Sequence, residues 1–123
     1  MNDLITGTVI HGLGNGRKFG FPTANVQPNT PPELEKGVYA VWVYIDEKRH
    51  EGMLYVGTRP TLSLSELTYE INIFDFTGDL YGQELVFVIV KQLRPEQVFD
   101  SWEALSAQLA KDRTEAKRAL EDA

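Results

Sequence analysis

Gly37-Val38-Tyr39-Ala40-Val41-Trp42-Val43-Tyr44-Ile45, followed by Asp46-Glu47-Lys48, is the stretch that decides the fold. Its β-branched and aromatic residues favour a pleated strand, and the polar triplet after them predicts a hairpin turn. Arg49 to Gly57 is then the returning strand. Upstream, Asn29 to Lys36 carries the Pro31-Pro32 pair and reads as a loop. Before it, Ala24 to Gln27 forms a short strand and Leu4 to Ile10 a β-branched one bounded by glycine. Downstream, Thr58 to Leu67 contains Pro60 and alternating Ser and Leu, which predicts an exposed, mobile loop. Thr68 to Phe76 alternates as a strand, Thr77 to Asp79 turns, and Leu85 to Leu93 is the last strand.

The tail changes period. Trp102, Leu105, Leu109, Ala116 and Leu120 fall on one helical face, with Asp100 as the expected N-cap and Glu103 completing a capping box. That face must cover the end or flank of a sheet. Short strands without intervening helices, then one helix, predict a mainly β protein: a small antiparallel barrel with a C-terminal α-helix.

The chain has 123 residues, 42% of them hydrophobic, which suits one compact domain over residues 1–123. Its net charge of −6 argues against a nucleic-acid partner, which would need a basic face, and against an acidic membrane surface. Cysteine is absent, so disulfides and thiolate zinc sites are excluded, and the two histidines, His11 and His50, are too few for a His-rich metal site. The longest apolar run, Val38 to Ile45, is eight residues, far below the roughly 20 that span a bilayer. No basic-then-apolar leader is visible at the N-terminus. A cytoplasmic protein is the expectation.

Gly12 to Asn25 carries the candidate chemistry. It sets four glycines beside Arg17, Lys18 and Pro22-Thr23-Ala24-Asn25. Glycines let backbone amides approach an anion, and the two cations stand out against an acidic background. The segment is neither a Walker A loop nor G-x-G-x-x-G, since Gly12, Gly14 and Gly16 alternate. It is either a flexible connection or a phosphate cradle. If Ala24 is extended, Thr23 and Asn25 point the same way and offer neutral oxygens to a magnesium ion whose phosphates supply the charge. The alternative is that both bond nearby backbone. Glu70 sits inside an apolar strand, sharing a face with Asn72 and Phe74, opposite Tyr69, Ile71 and Ile73. It is a solvated outer-face residue or a placed base. Asp75 and Asp79 are weaker candidates for the base. Arg94 pins an anion or polar ring edge or serves the turn at Pro95, and Phe99 stacks on an aromatic ligand or joins the core.

In order, these elements closely resemble the riboflavin kinase (flavokinase) family. The resemblance rests on Gly7-Thr8-Val9, Gly20-Phe21-Pro22-Thr23-Ala24-Asn25, Gly37-Val38-Tyr39, Gly57-Thr58-Arg59-Pro60-Thr61, Glu70 ahead of Phe74-Asp75-Phe76, Leu80-Tyr81-Gly82, and Leu93-Arg94-Pro95-Glu96 with Phe99. It covers Gly7 to Leu120. It implies a six-stranded antiparallel Greek-key barrel with a C-terminal helix and a single riboflavin kinase domain. It also implies transfer of the ATP γ-phosphoryl group to the 5′-hydroxyl of riboflavin, giving FMN and ADP. Thr23 and Asn25 match the family's ligands to Mg2+ (with Mn2+ or Zn2+ as alternatives). Gly12 and Lys18 match the nucleotide loop, and Ile73, Asp75 and Tyr81 the adenine side. Glu70 matches the catalytic carboxylate, Arg94 and Phe99 the flavin contacts, and the Thr58 to Glu66 loop a cover for the ligands. Many bacterial relatives carry an N-terminal adenylyltransferase domain. Only six residues precede Gly7 here, so no FAD synthesis is expected of this chain. Leu54-Tyr55 stands where relatives often have Ala-Asn.

The expected partners are small molecules, with no nucleic acid or membrane, and the expected state is a monomer. Two rival readings keep the fold and drop the chemistry. One is a non-catalytic flavin- or nucleotide-binding regulatory module; the other is a structural barrel used for protein contacts.

Overall fold

The computed structural model describes residues 4–10, 17–18, 21–60, 65–76 and 78–121; for residues 17–18, 21–22, 59–60 and 65–66 it describes the backbone alone. In chain order the elements are β1 (Leu4–Ile10), β2 (Arg17–Lys18), β3 (Phe21–Pro22), β4 (Ala24–Pro28), β5 (Gly37–Ile45), β6 (Lys48–Pro60), β7 (Ser65–Ile73), β8 (Glu84–Pro95) and α1 (Trp102–Glu121). Six strands close a barrel in the order β1-β4-β7-β6-β5-β8, every pair antiparallel. β5, β6 and β7 form consecutive hairpins, while the 29–36 link carries the chain across the barrel from β4 to β5. This is a Greek key.

Alternation divides the side chains between two clusters. Tyr39, Val41, Val43, Leu54, Val56, Tyr69, Ile71, Leu85 and Phe87 fill the barrel interior. Val38, Ala40, Met53 and Phe74, from the outer face, pack instead with Leu109, Ala116 and Leu120 of α1. The outer face of β5 and β6 is apolar because the helix covers it. At the start of β5, Gly37 has φ +153°, and a Cβ there would collide with the carbonyl oxygen of Arg94, so the close crossing of β5 and β8 needs glycine.

Several boundaries depart from the sequence reading; the strand expected to reach Phe76 ends at Ile73, with Phe74 and Asp75 in a turn. The hairpin of β6 and β7 is paired out to Pro60 opposite Ser65, so the region read as a Thr58–Leu67 loop is mostly ladder. Cross-strand pairing satisfies its backbone, and Pro60 sits at a strand end, where its missing N–H costs little. The last strand runs from Glu84 to Pro95, and its register against β5 slips twice, skipping Leu93 and Val90. These bulges re-aim β8, so that Val90 and Leu93 reach the cluster under the helix. Finally, the N-cap is Ser101, not Asp100. The Ser101 hydroxyl accepts from the Ala104 N–H at 3.1 Å and its carbonyl from the Leu105 N–H at 3.2 Å. The helix starts one residue later than the Asp100–Glu103 spacing implies, so no capping box forms. No helix among the described residues is long and apolar enough to cross a membrane.

Candidate active site

The register builds the site. Across β4, β7, β6, β5 and β8, one transverse row of Cα partners reads Asn25–Glu70, Glu70–Tyr55, Tyr55–Val38 and Val38–Arg94. Partners in a row share a face, and Ala24 and Val26, on either side of Asn25, pack inward. Asn25 and Glu70 are therefore neighbours on the outer face, with Thr23 on the same side of its strand.

That outer face is partly covered here, and Asn25, Tyr55 and Glu70 are half-buried. A cavity of about 420 Å³ lies between it and the start of α1, within the size range of small-molecule sites. Thr23, Glu70 and Asn72 line it from the sheet side, with Asn72 only 4% exposed, and Gln97, Asp100 and Ser101 add polar groups from the segment before α1. Val38, Met53, Tyr55, Leu105 and Leu109 supply an apolar wall, and Phe99 and Trp102 supply aromatic rings. Trp102, placed on the helix's buried face by its spacing, is 60% exposed and borders this cavity. It lies at the first helical position, one turn ahead of the part of the helix that packs on the barrel.

The structure thus sets Thr23, Glu70 and Phe99 on one cavity, with Asn25 paired beside Glu70. Ile73 is buried in the barrel interior. Asp75 occupies an exposed turn with φ 54° and pairs with Arg113 at 3.3 Å and Lys117 at 3.8 Å. Tyr81 is 53% exposed in the turn that follows, and its N–H donates to Asp79 Oδ1 at 2.9 Å. That turn is tied to β1 through Gly82 N–H to the Val9 carbonyl and Val9 N–H to the Gln83 carbonyl, just ahead of the glycine-rich segment in sequence. Gly12 lies outside the described residues, and Lys18 is described only as backbone in β2. Arg94, for which the resemblance implies a flavin contact, does not border the cavity. Its guanidinium engages Asp112 of α1, with Nε and Nη2 on the carboxylate at 3.0 and 2.9 Å.

Two features escaped the sequence reading. Asn72 was legible as sharing Glu70's face, but its burial depends on β6 and α1. Asp112 is a charge inside the stripe Leu109, Asp112, Ala116, Leu120, and that misplaced carboxylate was a readable signal. Among the described residues no three His, Cys, Asp or Glu side chains converge as a metal-binding group. On the sheet side of the cavity the oxygens of Thr23, Asn72 and Glu70, two neutral side chains and one carboxylate, suit a hard divalent ion that also takes phosphate oxygens.

A closed Greek-key barrel with an outer-face cavity, lined by one mid-strand carboxylate, Glu70, and by aromatic rings, defines a small-molecule site built on a β-barrel. By the match of its family model, Flavokinase (riboflavin kinase), over residues 2–120, the chain belongs to the riboflavin kinase family. It is 42% identical over 110 residues to the RNA-binding riboflavin kinase RibR of Bacillus subtilis, covering 89% of this chain and 47% of that protein. It is 42% identical over 114 residues to the bifunctional riboflavin kinase/FMN adenylyltransferase of Escherichia coli, covering 92% of this chain and 36% of that protein. The chain therefore spans less than half the length of these relatives. Among solved structures it is similar to a macrolide-efflux protein from Streptococcus pneumoniae, with TM-score 0.84 and 34% identity over 93% of this chain and 38% of that one. It also shares the fold of riboflavin kinase from Trypanosoma brucei, with TM-score 0.64 and 20% identity over 96% of this chain and 79% of that one.

Proposed function

We propose that this chain, as one riboflavin kinase domain, transfers the γ-phosphoryl group of ATP to the 5′-hydroxyl of riboflavin. The observation that carries the reading is the row Asn25–Glu70–Tyr55. It sets the Glu70 carboxylate, which lines a largely apolar, aromatic cavity of a size suited to a tricyclic ring, beside the neutral oxygen of Asn25.

In this reading the isoalloxazine ring lies against Phe99, Trp102 and the Leu105–Leu109 face, and its ribityl chain runs toward Glu70. Glu70 orients the 5′-hydroxyl and accepts its proton as the bond from that oxygen to the γ-phosphorus forms and the bond to the β-phosphate oxygen breaks. Thr23 and Asn25 would hold Mg2+ (or Mn2+ or Zn2+), which neutralises phosphate charge when bound. Gly12 and Lys18 cradle the phosphates, and Ile73, Asp75 and Tyr81 flank the adenine. The apolar walls exclude water, which favours transfer to the alcohol over hydrolysis. The acidic net charge of −6 supports small-molecule substrates rather than nucleic acid, and a cytoplasmic monomer is the state in which we place the enzyme.

Incubation with riboflavin, ATP and magnesium, followed by chromatography of the flavins, is the direct test. FMN and ADP are expected in equal amounts. E70Q is expected to lower kcat by about 10²–10³-fold while still binding riboflavin. A wild-type chain that binds both ligands and makes no FMN supports the regulatory-module reading instead, and full turnover in E70Q removes Glu70 as the base.

A further inference from the structure

Asp112 is the one charged residue fully buried among the described residues, with a side chain 3% exposed. It occupies a position in the helical stripe where leucine would pack without desolvating a charge. Its partner Arg94 is 10% exposed. A buried ion pair costs much of what it gains and is often matched in stability by apolar residues of the same volume. Stability alone therefore gives a weak reason for the pair.

The geometry around the guanidinium gives a better one. Nε and Nη2 form a two-pronged fork on the Asp112 carboxylate, and Gln108 Nε2 donates to Asp112 Oδ1 at 3.0 Å. Nη1 donates to the Pro95 carbonyl at 3.3 Å. The guanidinium carbon lies 5.5 Å from the centre of the Phe99 ring. One planar group thus addresses the helix, the backbone of the 95–101 link and the ring that borders the cavity. The link has no helix, and beyond Pro95 no strand, to hold it. Its backbone is tied to the barrel by Glu96 N–H to the Lys36 carbonyl, and Val98 is 91% exposed. Yet Gln97, Phe99, Asp100 and Ser101, all in this link, border the cavity.

We propose that the Arg94–Asp112 pair is a positioning device: it holds Phe99 and the 95–101 link as one wall of the cavity and thereby sets affinity for the planar ring of the acceptor, without touching the reacting atoms. This rests on the reading of the cavity as the flavin site. A rigid, planar fork is suited to the task because it fixes both distance and angle between β8 and α1. Lysine at 94 would keep the charge and lose the angle.

The test measures riboflavin affinity by quenching of flavin fluorescence, ATP affinity, and the thermal midpoint, for wild type, D112N, R94K and the double variant. Positioning predicts that D112N weakens riboflavin binding about tenfold while ATP affinity stays within about twofold, because only one wall of one subsite loosens. It also predicts that the double variant is no worse than the poorer single, since both break one unit. A direct ligand contact by Arg94 predicts the opposite: R94K far worse than D112N, with losses that add. That result overturns the proposal. So does a parallel fall in both affinities and in thermal midpoint, which marks a purely structural pair. Where D112N does not fold, Gln108→Leu replaces it. Q108L releases one side of the carboxylate without stranding a charge, and an about threefold selective loss is expected on the same reasoning; unchanged riboflavin affinity in Q108L then overturns the proposal. A wild-type chain that binds no riboflavin removes both this proposal and the functional reading, whereas wild-type affinity in D112N removes this one alone.

Discussion

At the residue scale, what a side chain can do depends on which neighbour the backbone hands it. Glu70 reads in isolation as a solvated residue on the outer face of a strand. The outer face is where it stands, between Asn25 and Tyr55, and there Glu70 and Tyr55 border a cavity. Alternation in the sequence gives the face; it cannot give the cover. The turn at Asp46-Glu47 is a second case. Ile45 pairs with Lys48, so the turn has two residues, and both take positive φ, 50° and 68°. Such turns prefer Asn-Gly or Asp-Gly, and a glutamate there is strained. E47G relieves that strain and is expected to raise stability by about 1 kcal/mol, read as a rise of about 4 °C in thermal midpoint. The turn lies outside the row that builds the site, so ligand affinity is expected to stay as it was.

At the element scale, the helix and β8 act together. The apolar spacing of the tail predicts a helix, and its buried stripe is Leu109, Asp112, Ala116 and Leu120. Where the helix begins was less legible, because Asp100 and Ser101 are both good caps and only the backbone path selects one. Ser101 holds the Ala104 N–H. S101A is expected to cost about 1 kcal/mol of stability, measured in urea, whereas D100A is expected to leave the helix intact. Because Ser101 and Asp100 both border the cavity, circular dichroism in the helical band separates loss of the cap from any change in binding. The slips in β8 were not legible at all. A bulge is chosen by how two strands cross, and the crossing at Gly37 and Arg94 joins residues distant in sequence.

At the scale of the whole molecule, the closed barrel buries two tyrosines, Tyr39 and Tyr69, whose hydroxyls lose their protons less readily than in water. Burial pushes the Tyr69 hydroxyl above its ordinary value of 10.0. For Tyr39 burial is again the main cause, with the charge of Glu35 adding to it and a backbone hydrogen bond at Glu35 opposing it. A folded-state pKa above the unfolded one means that the unfolded chain sheds the proton first. The contribution of each tyrosine is therefore whole below pH about 10 and is lost as pH rises through the folded-state value. Urea midpoints are expected to be level near neutrality with respect to these groups and to fall above pH about 10, less steeply in Y69F. Riboflavin that binds only the folded chain is expected to raise the thermal midpoint at any pH below that range by linkage.

The amino-acid sequence alone determined the kind of the six barrel strands and of the helix, though not the short β2 and β3 or the paired far ends of β6 and β7. The β-branched runs, the Pro and Gly breaks and the helical stripe are local signals, each carried by residues within a few positions of one another. It also determined the family, because the motifs lie in order along the chain. Only the tertiary structure decided which strand pairs with which, and with that the neighbourhood of Glu70 and Asn25, the cavity beneath α1, and the diversion of Arg94 onto Asp112. These are matters of register and closure. They join residues far apart in the chain, where no local preference acts and only the packing of the finished barrel selects the partner.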